Sequence, residues 1–536
     1  MSEVLRTFEP GPGVQKRRYS GSRAKTRRRV WRSVVWFVIL ATGAFFWFTR
    51  DSVPLATFVP KDIAYQIVFP RPFAETGVMS DSPVWSLLPE KWSFPAQVKA
   101  LGDHADMPDW LAQNLTGSLC HISGNDMTHF SDAIVICQMT RVGKLVEGAH
   151  WFFPKVIAND VAGGLRLRDV LNGTLYYTVR GRLLIMSMSR DALIRRLVLQ
   201  PAERISEEQI NELLKDPGSS SLRGLMTPRA ADTFSTIVDW AGFAGVAGEY
   251  GAHLKFRVTL APPTYERFAE LLEGASPAPL MLPPEAILEV SANFNKPLGT
   301  VLQTIQKLWT HETAGDMGAP ENPNGLPDIT KQLEPFLQML GPGFRIGWYG
   351  IDPNEMFPVP EIAGYFDGDP TALEGLFQII PPLPPNAHPW DPILQYDKDT
   401  RRAKLPLIGG PSIEPTFVIH GNGLLASTSA PLADKLLALP ASQNESPKSG
   451  NLFIRFRPKA CYHTLVPVGE LLAEQGLLKN ATKESFRDIA EKWKKKTDPV
   501  EEIVLVLQVD GTTITGDLTA TFVQTSSKQE SETTGT

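Results

Sequence analysis

Cysteine is scarce in this chain of 536 residues: it occurs three times, as Cys120, Cys137 and Cys461, and no two are spaced C-x-x-C. A thioredoxin-type redox centre or a zinc ribbon needs that spacing, so neither is offered. The nine histidines are scattered. His311-Glu312 lacks the second histidine of a zinc-protease helix, and His121 and His129 lie beside the cysteines at no standard ligand spacing. No G-x-S-x-G elbow and no Walker-type phosphate loop occurs. The glycines of "GFAGVAGEYG" (242–251) lack the dinucleotide spacing and read as a flexible connection or a close-packed helix. The sequence therefore assigns no catalytic residue, cofactor or metal.

Positive charge is short everywhere except at one end. Residues 1–32 hold ten basic and two acidic side chains, a net of +8. The other residues hold 43 basic against 56 acidic, a net of -13. An acidic body argues against nucleic acid as a partner, because phosphate binding needs a cationic face.

Long apolar runs are also absent, with one exception. Ser33 to Thr49 are seventeen residues without a charge, and Val30 and Trp31 extend the run if Arg32 snorkels. A hydrocarbon core about 30 Å thick needs roughly 20 helical residues. Trp31, Trp36 and Trp47 lie towards the ends, where amphipathic rings favour the interface. The reading is a basic cytoplasmic tail (1–29), a transmembrane helix (30–49), a linker (50–58) and an extracytoplasmic body, because cationic flanks stay inside. The tail would also hold anionic lipid headgroups. "FFWFTRDSVPLATF" lacks the small-residue pattern of a cleaved signal peptide, so an uncleaved anchor is expected. "TRRRVW" is a loose echo of a twin-arginine export signal.

Proline is abundant, at 45 residues, and much of it falls in loops such as "IIPPLPPNAHPWDP" (379–392), a polyproline-type connector. Asn114, Asn172 and Asn480 begin sequons. Around "GNDMTHFSD", the segments of Cys120 and Cys137 read as a hairpin in which residues summing to 257 face each other. That register sets the two cysteines opposite one another, so a disulfide is expected in an oxidising compartment.

The remaining pattern repeats. "YYTVRGRLLIMSMSRDALIRRLVLQ" (176–200) aligns with "TFVIHGNGLLASTSAPLADKLLALP" (416–440) at an offset of 240, with six identities over residues 176–199, Gly181 on Gly421 and Ser189 on Ser429 among them. "VPKDIAYQIVF" matches "LPPEAILEVSANF", "DAIVICQMTRVGKLVEGAHWFFP" matches "PEIAGYFDGDPTALEGLFQIIP", and "SLRGLMTPRA" matches "LFIRFRPKA", in the same order. This predicts two tandem copies, 59–275 and 276–523, of one α+β module built from antiparallel sheet and helices, then a disordered tail (524–536). Gly181, Gly421 and Gly423 are expected to supply positive φ at hairpin turns, with Asn422 tolerating it too. Ser189 and Ser429 are expected as helix N-caps, and "SEEQ" from Ser206 to Gln209 as a capping box. "VEEIVLVLQVDGTTITGDLTATF" (500–522) reads as a hairpin turning at Asp510-Gly511. His420 faces Arg180 across the repeat, so no catalytic role follows from its place.

"LPPEA", "GDPTALEGL", "GLLASTSAPLADKLL" and "SMSRDALIRRL" give the chain a resemblance to a family of bacterial envelope proteins known only as a domain of unknown function. Those carry an N-terminal anchor or lipoprotein signal. The resemblance implies a compartment and a fold, with no catalytic residues, and the first copy departs from it with Val-Gly-Lys in place of Asp-Pro-Thr. The expected role is binding or scaffolding of a protein or envelope ligand, with an extracytoplasmic hydrolase as the alternative.

Overall fold

A computed structural model describes residues 20–70, 82–83, 109–117, 119–126, 132–149, 161–162, 165–170, 173–208, 222–227, 238–248, 250–262, 264–266, 285–304, 336–352, 358–378, 394–405, 413–438, 451–478 and 482–523. Several expectations fall outside these: residues 1–19 of the tail, His129, the capping box at Gln209, His311-Glu312, the stretch 379–392, Asn172, Asn480 and residues 524–536. The protein is α+β, with one apolar N-terminal helix and a large antiparallel sheet plus helices.

Helix α1 (Ser20–Phe48) contains the apolar span Val30–Phe48, none of which is buried. Among the described residues, ten strands follow in the first half: β1 (Tyr65–Pro70), β2 (Leu119–Gly124), β3 (Ile134–Gln138), β4 (Val161–Ala162), β5 (Leu165–Val170), β6 (Gly173–Arg180), β7 (Leu183–Ser187), β8 (Leu222–Met226), β9 (Val238–Ala247) and β10 (Gly251–Leu260). Ten more fill the second: β11 (Leu288–Asn293), β12 (Leu340–Asp352), β13 (Val359–Gly368), β14 (Gln395–Asp397), β15 (Arg402–Lys404), β16 (Thr416–His420), β17 (Gly423–Ser427), β18 (Leu452–Phe456), β19 (Val500–Asp510) and β20 (Thr513–Phe522). The first half pairs in the order β4-β5-β6-β7-β3-β2-β1-β8-β9-β10. The second pairs as β14-β15-β16-β17-β13-β12-β11-β18-β19-β20. Strand by strand, these are the same order. The last strands of the halves, β10 and β20, pair antiparallel with each other from Gly251↔Thr521 to Thr259↔Thr513, which joins all twenty strands into one sheet.

Registers match as well. Tyr65 opposes Gly124 and Met226, and Leu288 opposes Trp348 and Phe456. Tyr176 opposes Ser187 as Thr416 opposes Ser427. Both hairpins turn through two residues, Gly181-Arg182 and Gly421-Asn422, with φ of +59° and +57° at the glycine. Positive φ at the first central residue alone is the type II′ pattern, whose twist suits paired strands. Gly423 and Asn422 therefore differ from expectation: neither has positive φ. Gly423 opens β17 and is needed for space, since a Cβ there would run into the Phe366 carbonyl and lie 2.8 Å from the Tyr365 ring. The β19–β20 hairpin turns one residue later than expected, through Gly511-Thr512, with Gly511 at +55°. Residues 242–247 form neither a helix nor a loose connection: they complete β9, Gly251 opens β10, and the Leu254 side chain packs over Gly245.

Helices pack against the sheet in both halves. In the first half they are α2 (Asp109–Thr116), α3 (Arg141–Gly148) and α4 (Arg190–Leu197). In the second they include α5 (Pro370–Gln378), α6 (Ala430–Leu437), α7 (Pro458–Glu474) and α8 (Lys483–Thr497). Ser189 Oγ accepts from Ala192 N–H and Ser429 Oγ from Leu432 N–H, so both expected caps form. Leu193 of α4 packs on Ile134, Ile136 and Ile185, while Leu432 and Leu436 of α6 pack on Ala363, Val418 and Leu425. The segment 50–58 does more than link: Ala56 and Phe58 enter the first core, with Val53 and Leu55 packed against it.

Candidate functional site

The turn and cap residues singled out in the sequence lie at the ends of two separate hairpins, and each has a local structural task. His420 is exposed, and its main-chain carbonyl accepts from the Tyr365 hydroxyl at 3.0 Å. Asn114 sits in α2 with its side chain engaged, accepting from Thr140 Oγ1 at 2.6 Å and donating to the Trp110 carbonyl. Cys120 and Cys137 face each other in register on β2 and β3, both buried and both free thiols, with Sγ atoms 3.6 Å apart. The thiol–thiol hydrogen bond and then burial hold the Cys137 proton on well above its ordinary range.

Two buried polar pairs stand at corresponding places in the two halves. Gln66 follows Tyr65 in β1, and Glu289 follows Leu288 in β11. His121 and Arg345 stand at corresponding places on the neighbouring strands, three residues before Gly124 and Trp348. In the first half His121 Nε2 lies 3.3 Å from Gln66 Oε1. In the second, Arg345 Nε donates to Glu289 Oε1 at 2.6 Å, and both side chains are almost fully buried, at 2% and 0% exposure. Arg455 lies 3.8 Å from the second Glu289 oxygen, and Glu502 bridges on to Arg455 and Arg457. Burial, and next Arg196, push the His121 imidazole down to about 3, so it is neutral at physiological pH. Burial likewise raises the Tyr349 phenol beside Arg345 and Glu289 far above its usual range. Two buried ions with complementary hydrogen bonds tie strands together, and their burial keeps solvent from them. The available signal was a charged or amide residue at an inward position of an alternating strand, as Glu289 is in "AILEVSANF".

The third feature is the bridge β9–β10–β20–β19 between the halves. Phe243, Phe256, Gly516 and Leu507 stand in one cross-strand row; Leu254, Leu518 and Leu505 in the next; Val258, Ile514 and Val509 in a third. Residues directly opposite share a face, so these side chains form one apolar surface. All of them but Gly516 are partly exposed. The Phe256 ring lies over Gly516 and the Phe243 ring over Gly224, where a Cβ would collide with them. The opposite face is polar: Lys255 stands beside Asp517, His253 Nε2 lies 2.7 Å from Asp517 Oδ1, and the Arg257 guanidinium is 5.7 Å from the Trp240 ring centre.

The end of α1 is held by the body. The Arg141 guanidinium lies 4.6 Å from the Phe46 ring centre and Lys144 Nζ 5.5 Å from that of Phe48. Asp51 pairs with Arg182 at 2.9 Å and accepts from Gln138 Nε2 at 3.3 Å.

No family model matches the chain, and no curated protein does either. Among solved structures it is similar to crystal form I of TP0453, at 7% identity and a TM-score of 0.24, over 40% of this chain and 80% of that one. Crystal form IV of TP0453 aligns at 10% identity and a TM-score of 0.24, over 42% and 89%.

Proposed function

We propose that the protein is a single-pass envelope protein, with its N-terminus in the cytoplasm and its body outside, built from two copies of one ten-strand module and acting by binding. The observation that carries the binding reading is the bridge: a broad, partly exposed apolar face with Phe243, Phe256, Leu254 and Leu518 near its middle. A contiguous apolar surface rimmed by polar groups suits a partner surface or an apolar envelope ligand. Its position at the junction of the halves makes it a product of the duplication. The shared strand order, the shared type II′ turns and the paired serine caps support that duplication. The apolar helix at the N-terminus, flanked by cations on one side, supports the anchor.

The test is photocrosslinking in native membranes from benzoylphenylalanine placed at Phe256. Discrete adducts are expected, and Leu518→Lys should abolish them while the purified protein keeps its unfolding midpoint. A folded protein that gives no adduct at Phe256 or at Leu507 would shift the choice to the extracytoplasmic hydrolase.

A further inference from the structure

The geometry points to helix α3 as a second membrane contact, lying in the headgroup layer of the bilayer that α1 spans, with anionic lipid as its partner. This rests on the anchor reading above. The apolar span Val30–Phe48 has 19 residues. At 1.5 Å per residue that is about 28 Å, close to the hydrocarbon thickness of about 30 Å. If Val30 stands at one boundary, Phe48 stands at the other.

The body does not hang from this point by a free tether. Thr49 is buried, Asp51 is bound to Arg182, and Ala56 and Phe58 are in the core. Helix α3 touches the last turn of the anchor itself. Arg141 lies over Phe46, Lys144 over Phe48, and a Cβ at Gly148 would come within 2.8 Å of the Phe48 ring. Helical side chains lean towards the N-terminus of their helix, so the Phe46 and Phe48 rings lie on the membrane side of their own Cα atoms. What touches those rings lies at the interface.

On α3, Leu145 is four residues from Arg141 and three from Gly148, so it shares the stripe that meets α1; Val142 flanks it. Both are exposed, Val142 at 48% and Leu145 at 39%. The inward side of the helix carries Gly143 and Glu147, both buried. Apolar residues on the open side and cations at the edge make an interfacial helix. Around the junction Arg50, Arg141, Lys144, Arg166 and Arg182 stand against Asp51 and Glu147, an excess that favours anionic headgroups.

The test uses the full chain in phosphatidylglycerol-containing vesicles, with an environment-sensitive fluorophore on Val142→Cys or on Phe37→Cys. The native cysteines are buried and do not compete for the label. Spin-labelled lipids serve as quenchers, shallow ones for position 142 and deep ones for position 37. The expected result is strong quenching at both positions. The signal at 142 should fall when Arg141→Glu and Lys144→Glu are combined, and the signal at 37 should not. Quenching at 37 with a water-exposed probe at 142 overturns the interfacial role of α3 and leaves the anchor standing. A blue-shifted but unquenched probe at 142 means protein covers the patch, and overturns it too. No quenching at 37 removes the anchor reading and this inference with it.

Discussion

Gly421 has φ of +57°, a region where a β-branched side chain is strained by contact with its own backbone. Gly421→Val should therefore cost about 1–3 kcal/mol, read from the urea midpoint. His420→Ala, on an exposed neighbour, should cost less than about 0.5 kcal/mol. The buried pair behaves differently. Arg345→Met leaves Glu289 charged and nearly unpaired, and should cost about 3–5 kcal/mol. Adding Glu289→Gln should recover much of that loss, because the uncompensated charge goes. His121 adds a pH dependence. Its imidazole is held at about 3 in the fold against 6.5 when free. Between those values the unfolded chain binds the proton that the fold refuses. The stabilisation is thus complete above 6.5 and declines as pH falls towards 3, with a slope of at most about 1.4 kcal/mol per pH unit from this group. His121→Gln should flatten the decline between pH 6.5 and 4.5 in urea titrations. An equally steep decline in the variant would assign it to the carboxylates instead.

Single elements were the most legible scale in the sequence. Ser189 and Ser429 were readable as caps because a hydroxyl before an apolar helical stripe has one common use. The β2–β3 register followed from symmetric pairing about a short turn, and Cys120 does oppose Cys137. Gly423 was misread because a glycine next to a turn serves either φ or space, and only the Tyr365 ring above it decides which. Residues 242–247 were misread because small residues remove the alternation by which a strand is recognised. Two outcomes follow at this scale. The structure holds Cys120 and Cys137 as thiols rather than the expected disulfide, but their facing sulfurs, 3.6 Å apart, should be joined if the body stands in an oxidising compartment. Alkylation of the denatured chain without reductant should then modify one thiol, Cys461, and after reduction all three; three modified at once would show the pair reduced. For α1, a cysteine introduced at position 10 should need permeabilised membranes for labelling, and one at 530 should not. The reverse pattern would invert the topology.

At the scale of the molecule, the seam was the least legible feature. β10 and β20 are far apart in the chain, and an alternating strand pattern names a face and not a partner. Yet the seam decides the architecture. The two halves end in their tenth strands, and those strands pair antiparallel about a point at Lys255 and Asp517, as the edges of a twofold dimer would. Each half therefore supplies the cover for the other's exposed edge, a feature that on a lone module would be open to pairing with any strand. The last prediction tests that dependence. A protease site inserted between 270 and 280, and cut after folding, should leave the two fragments bound, because the pairing from Gly251↔Thr521 to Thr259↔Thr513 does not need the connection. They should co-purify on a tag at one terminus and separate only when the sheet unfolds. Leu254→Pro removes a donor that faces Leu518 near the centre of the seam and forces φ near -65° there, so the cut variant should fall apart into halves under native conditions. If the cut wild type separates without denaturant, the halves are held by their connection rather than by the seam, and the sheet is two sheets that meet only because the chain joins them.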